Sequence, residues 1–116
     1  MMMKRYWVLG LGGLSLCMAL PAAAIDRGDP VRGQELSAAC IACHGEDGNS
    51  PDPQYPKLAG QHADYMARML RRYRDTDIQN PIMNGMASGL SDADIWDLAA
   101  YYAEQEGPLH TPPRRR

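Results

Sequence analysis

Cys40-Ile41-Ala42-Cys43-His44 is the stretch on which the reading of this 116-residue chain turns. Two thiols stand three positions apart and an imidazole follows at once. On one helical turn the two sulfurs reach the two vinyl groups of a single porphyrin. The adjacent His is then held below the ring with a nitrogen for iron. C-x-x-C-H is the attachment signature of c-type haem. Other chemistries fit these residues poorly. A zinc finger needs four ligands, usually with a second pair. The remaining histidines are His62 and His110, and Tyr65, Met66 and Ala67 occupy the positions three to five after His62. A thioredoxin-like redox pair belongs in a βαβ setting, which a chain this short and lacking strand patterns does not offer. A structural disulfide between Cys40 and Cys43 leaves His44 without a reason.

Upstream of the motif the chain has the three parts of a secretory leader. Lys4 and Arg5 give a basic start, Tyr6 to Leu20 an apolar run, and Pro21-Ala22-Ala23-Ala24 a small-residue exit. The run falls short of the ~20 apolar residues of a spanning helix and contains Gly10, Gly12 and Gly13. The expectation is a signal peptide over 1–24, cleaved after Ala24, which takes Cys17 with it and leaves one domain over 25–116. Losing Lys4 and Arg5 takes the formal charge from −2 to −4. That balance argues against nucleic acid, which calls for a basic surface. Export also suits a covalently held cofactor, which cannot be lost to a large volume outside the cytoplasm.

The body of the chain reads as all-α, with three or four helices joined by long loops. A helix is expected over 29–42, with Asp29 as cap and Pro30 at its first position. A second is expected over 61–73, where Tyr65, Met69, Leu70 and Tyr73 recur at helical spacing beside Met66. A third is expected over 91–104, opened by a Ser91/Asp94 capping box and striped by Ile95, Leu98, Tyr101 and Tyr102. Residues 45–60 and 75–89 are rich in Gly, Pro, Asn and Asp and read as loops. The tail from about 109 to 116 reads as a disordered basic end. With two Trp, six Tyr and no Phe, the chain has little bulky apolar material for a core. Small domains often need a cofactor for that reason, and the long loops read as its walls.

Iron on His44 needs a partner on its other side. A thioether there raises the reduction potential. Met66 and Met69 lie within a helix and read as core filler. Met83 and Met86 lie in the 75–89 loop, which can present a side chain without straining a helix. His62 as a second imidazole reads instead as a surface residue.

An ordered series of motifs extends beyond the first one. It runs through Cys40-Ile41-Ala42-Cys43-His44-Gly45, Asp47-Gly48-Asn49-Ser50-Pro51, Tyr55-Pro56-Lys57-Leu58-Ala59-Gly60-Gln61, Met83-Asn84-Gly85-Met86, and Leu90-Ser91-Asp92 leading into Asp97-Leu98-Ala99-Ala100-Tyr101-Tyr102. On these residues the chain resembles the class I cytochromes c over nearly all of 25–116. The likeness is greatest to the short bacterial periplasmic mono-haem type and to one half of the di-haem cytochromes called c-four. The resemblance implies one covalent haem c on Cys40 and Cys43, and iron held by His44 and Met83, with Met86 as runner-up. It implies that the Pro56 carbonyl orients His44, that Leu58 packs on the ring, and that Gln61, Tyr65 and Tyr73 are pocket candidates. It also implies that Gly33 permits close crossing of the last helix at Tyr101 or Tyr102. Arg68, Arg71 and Arg72 share a helix face that reads as solvated, with haem propionates or an acidic partner as the other use.

With both sides of the iron taken, no site is open to substrate, and the expected role is a periplasmic single-electron carrier rather than an enzyme. Its donor and acceptor would be membrane-bound or periplasmic redox proteins that dock transiently at the haem edge. The alternatives are a fixed haem c subunit of a larger redox complex, or a haem enzyme or sensor with a labile sixth ligand.

Overall fold

A computed structural model describes residues 28–109. The expected signal peptide, Cys17, His110 and nearly all of the expected tail lie outside the described residues. The described chain is helical, with no strand among its residues. The order is α1 (Pro30–Leu36), a 3-10 turn (Ser37–Ala39), α2 (Ile41–His44), α3 (Ala63–Arg74), α4 (Pro81–Ala87) and α5 (Asp92–Glu104).

Two expectations about helices need correction. The helix expected over 29–42 is interrupted. The Ser37 hydroxyl donates to Gln34 O at 2.7 Å, a local bond that competes with the helical ladder, and Cys40 N closes a tighter turn on Ser37 O at 2.7 Å. The helix then resumes as α2 and delivers His44 at its end. The 75–89 segment is not all loop either, because it contains α4. Asn80 caps this helix by accepting from Met83 N at 3.1 Å, and Pro81 occupies its start, where the missing N–H costs nothing.

Helix α5 is the central strut, with α1 and α3 packed on it and α4 packed on α3. Its expected stripe is buried throughout: Ile95, Leu98, Tyr101 and Tyr102 all lie in the core, with Met66, Ala67 and Ala99. Tyr65 departs from the expected α3 stripe. It is 44% exposed and carries the Arg68 guanidinium over its ring at 5.5 Å. The α3 core positions are Met66 and Ala67 instead. The core is thin, since the largest fully buried side chains are Tyr102, Ile95 and Ser37.

The α1–α5 crossing is held by backbone proximity and by one buried carboxylate. A Cβ on Gly33 would lie 2.0 Å from Asp97 O and 2.8 Å from Tyr101 Cβ, so the crossing expected at this glycine is present. Asp97 in α5 accepts from Asp29 N at 2.7 Å and pairs with Arg32 Nε at 2.9 Å. The same Arg32 reaches Asp94 at 2.7 Å. Gly33→Ala should therefore destabilise the holoprotein by about 3 kcal/mol, the upper part of the usual overpacking range. The ~1 kcal/mol by which Ala is the better helix former will not offset a backbone carbonyl in the way. Denaturant unfolding of the two holoproteins checks this, and equal midpoints would contradict it.

At the other end of the sequence, α5 opens with the expected capping box. Asp94 N donates to Ser91 Oγ at 3.1 Å, and Ser91 N donates to Asp94 at 3.0 Å. The Ser91 hydroxyl, then Arg32, hold the Asp94 carboxyl down to about 2. A carboxyl depressed in the folded state stabilises fully above its unfolded value of about 3.9 and loses that contribution as pH falls towards the folded value. Stability should therefore drop between about pH 4 and pH 2. Asp94→Asn should show a shallower drop in that window when thermal midpoints are followed against pH. Parallel pH profiles would count against the assignment.

A candidate haem pocket

His44 is built into the wall of a cavity by α2 and the loop after it. Its N–H donates to Cys40 O at 2.9 Å, which places it on the same turn as the two cysteines. His44 is buried, at 7% exposure, and its ring Nδ1 lies 2.9 Å from Pro56 O. A carbonyl only accepts, so Nδ1 carries the proton and the other ring nitrogen keeps its lone pair. Such a bond fixes the orientation of a metal-binding imidazole. The Tyr55 ring stands edge-on to His44 at 6.3 Å.

The loop that carries Pro56 is fastened to α5. Leu58 N and Ala59 N both donate to Gly48 O, at 2.8 and 3.2 Å, and Gly60 N donates to Tyr102 O at 2.9 Å. Gly48 has φ +80°, and a Cβ there would lie 2.8 Å from Tyr102 Cδ1. Here glycine is required both by the backbone angle and by the closeness of an aromatic ring.

The cavity has a volume of about 350 Å³, within the range of small-molecule and cofactor sites. Cys40, Cys43 and His44 enter from α2 and the residue before it. Tyr55, Pro56 and Leu58 enter from the loop, with Gln54 beside them. Helix α3 contributes Met66, Met69, Leu70 and Tyr73, and α5 contributes Leu98 and Tyr102. Helix α4 contributes Ile82, Met83 and Met86, with its cap Asn80. The cavity thus brings together every site residue expected from the sequence except Tyr65, which faces outward, and Gln61. Gln61 lies off the wall, and its side-chain oxygen accepts from His62 N at 2.9 Å. His62 is exposed at the start of α3, away from the cavity. The arginines of α3 are also elsewhere: Arg71 pairs with Asp92 at 3.2 Å and covers the Trp96 ring.

Several wall residues were not anticipated. Met66, Met69 and Leu98 read as core; Met66 and Leu98 do belong to it, and all three also line the cavity. Asn84 was also missed. Its amide donates to Tyr73 O at 2.7 Å and Ile78 O at 2.8 Å, and its oxygen accepts from Asn80 N at 2.8 Å. One side chain therefore ties α4, and with it Met83, to the end of α3.

These walls suit a large, flat, mainly apolar group with iron at its centre. The thiols are half-buried on the rim of the turn, and burial pushes the Cys40 thiol up. Among the described residues no group of three or more His, Cys, Asp or Glu side chains is placed to hold a bare metal ion. One polar atom on the wall also lacks a partner. The Tyr102 hydroxyl is buried with no hydrogen bond among the described residues.

Comparison with known proteins agrees with this reading. The family model for cytochrome c matches residues 30–105. Cytochrome c4 of Pseudomonas aeruginosa is 43% identical over 96 residues, which are 83% of this chain and 48% of that protein. Cytochrome c-554(548) of Halomonas halodenitrificans is 45% identical over 82 residues, 68% of this chain and 99% of that one. The crystal structure of reduced recombinant cytochrome c4 from Pseudomonas stutzeri superposes with a TM-score of 0.66 at 42% identity, over 69% of this chain and 47% of the other. The chain therefore spans about half the length of the cytochrome c4 relatives and nearly the whole of the shorter one. With most of its described residues inside the family match, and with Cys40, Cys43 and His44 gathered on a cavity wall, the chain belongs to the cytochrome c family and its cofactor is haem c.

Proposed function

We propose that this protein is a periplasmic carrier that accepts and donates one electron at a time, with iron held by His44 and Met83. The observation that carries the proposal is the meeting, in one cavity, of the Pro56-oriented His44 with a methionine from α4. Haem c, when bound, supplies one-electron exchange between ferric and ferrous iron. The chain's part is to attach it through Cys40 and Cys43, to fix the His44 tautomer, and to present a soft sulfur that favours the reduced state. Apolar walls keep water away and so limit rearrangement when charge changes. Met83 is preferred over Met86 because it is the more enclosed of the two. Met86 is 45% exposed and sits at the mouth with Ile82, which is 64% exposed. Those two apolar side chains suit brief docking of a redox partner beside the cofactor.

Export with cleavage after Ala24 belongs to the same proposal. Among the described residues no helix is long and apolar enough to cross a membrane. Potentiometric titration of the holoprotein should return one reversible one-electron wave, and added peroxide should be neither bound nor turned over. Sustained peroxide turnover would replace the carrier with an enzyme.

A further inference from the structure

Tyr102 lies in the core on α5, where a Phe ring would fill nearly the same space without the hydroxyl. Its side chain is 1% exposed, and its hydroxyl has no partner in hydrogen-bond geometry among the described residues. A buried hydroxyl left unpaired is costly, so a group that completes it is expected. The surroundings narrow the choice. The ring is clamped by Gly48, whose missing Cβ leaves room for Cδ1. It is also stacked at a tilt on Tyr101, 5.0 Å between centroids. The hydroxyl therefore cannot swing to solvent. Its polar neighbours are the Cys40 sulfur and the Ser37 hydroxyl. Ser37 is itself buried, and its hydroxyl donates to Gln34 O at 2.7 Å with its oxygen still able to accept, so position has to separate it from Cys40. Tyr102 and Cys40 both line the cavity, and Ser37 does not. Burial pushes the Tyr102 phenol well above its ordinary value, so it keeps its proton at neutral pH and acts as a donor.

We propose that the Tyr102 hydroxyl donates a hydrogen bond to the Cys40 sulfur in its haem-bound thioether form, and so tunes the reduction potential upward. A donor on a substituent of the ring draws electron density from it and favours the reduced state, as hydrogen bonds to a cofactor's periphery do. Tyr102 acts through Cys40 and not on the iron, so it is a positioning residue for the cofactor's electronics. The inference rests on the proposed function only through attachment at Cys40.

The test compares holoproteins carrying Tyr102→Phe and Ser37→Ala with the unchanged chain, by potentiometry and optical spectroscopy. The expected result is a lower potential for Tyr102→Phe, outside the scatter of repeat titrations, with the sulfur-to-iron band intact, and no comparable shift for Ser37→Ala. An unchanged or higher potential in Tyr102→Phe with that band intact overturns the proposal. So does an equal shift in Ser37→Ala, which would make Ser37 the acceptor. A sulfur-to-iron band missing from the unchanged chain would instead count against Met ligation. A second readout needs no substitution: the carbon–sulfur stretch at Cys40 in the resonance Raman spectrum should move on exchange into heavy water. A stationary stretch overturns the proposal.

Discussion

Met83→Ala should abolish the far-red sulfur-to-iron band of the oxidised holoprotein, while Met86→Ala should keep it. Both side chains line the cavity from α4, three positions apart on one helix, so a rank order has to come from their surroundings. Met83 is half-buried, and its backbone N–H is fixed by the Asn80 cap, which holds the start of α4 in place. Met86 has more of its surface in water and stands beside Ile82 and Gly85, where nothing approaches closely. Removing Met83 should open the sixth position. The reduced protein should then bind carbon monoxide, and the potential should fall on the order of a tenth of a volt or more, inside the roughly 0.8 V span that axial ligands command. If Met86→Ala loses the band and Met83→Ala retains it, the two roles are exchanged.

The double variant Cys40→Ala/Cys43→Ala should carry no haem through a denaturing gel and should lose cooperative unfolding. Loss of the stain follows from the chemistry, because no thiol remains to bond the porphyrin. Loss of the fold follows from the core. Without the cofactor the apolar walls of a cavity of about 350 Å³ are left facing water, and the burial that haem would supply is lost. The whole stability of a small domain is about 5–15 kcal/mol. With only Tyr102, Ile95 and Ser37 as its largest fully buried side chains, the described chain has little else to draw on. Haem staining with calorimetry checks both parts. A sharp, unshifted transition in the variant would mean that the helices hold without the cofactor.

Much of this architecture was legible because it rests on short-range chemistry. Ser91 and Asp94 announce a helix start through their own hydrogen bonds, and the α5 stripe follows from helical period alone. Gly33 marks a crossing because a mid-helix glycine needs a packing reason. Helix α4 was missed because Asn80, Pro81 and Gly85 are loop formers as well as helix-end residues. Only the capping geometry shows that Asn80-Pro81 begins a helix. Gln61 was misplaced because its neighbours in sequence, Leu58 and Pro56, do face the cavity. The chain turns away at Gly60, which has φ +76°, before α3 begins. Asp97 left no clear signal, since its partners Asp29 and Arg32 are more than sixty residues away. Its one hint was a carboxylate beside an apolar stripe. Tyr102 read as core and is core, and its unpaired hydroxyl emerges only when its neighbours are placed around it.

The most direct test of the central claim is an absorption spectrum of the oxidised holoprotein, followed by carbon monoxide added to the reduced form. Ligation by His44 and Met83 predicts low-spin iron, a weak far-red sulfur-to-iron band, and a reduced spectrum that carbon monoxide leaves unchanged. High-spin iron, or prompt binding of carbon monoxide, would mean an open sixth position and would contradict the electron-carrier account.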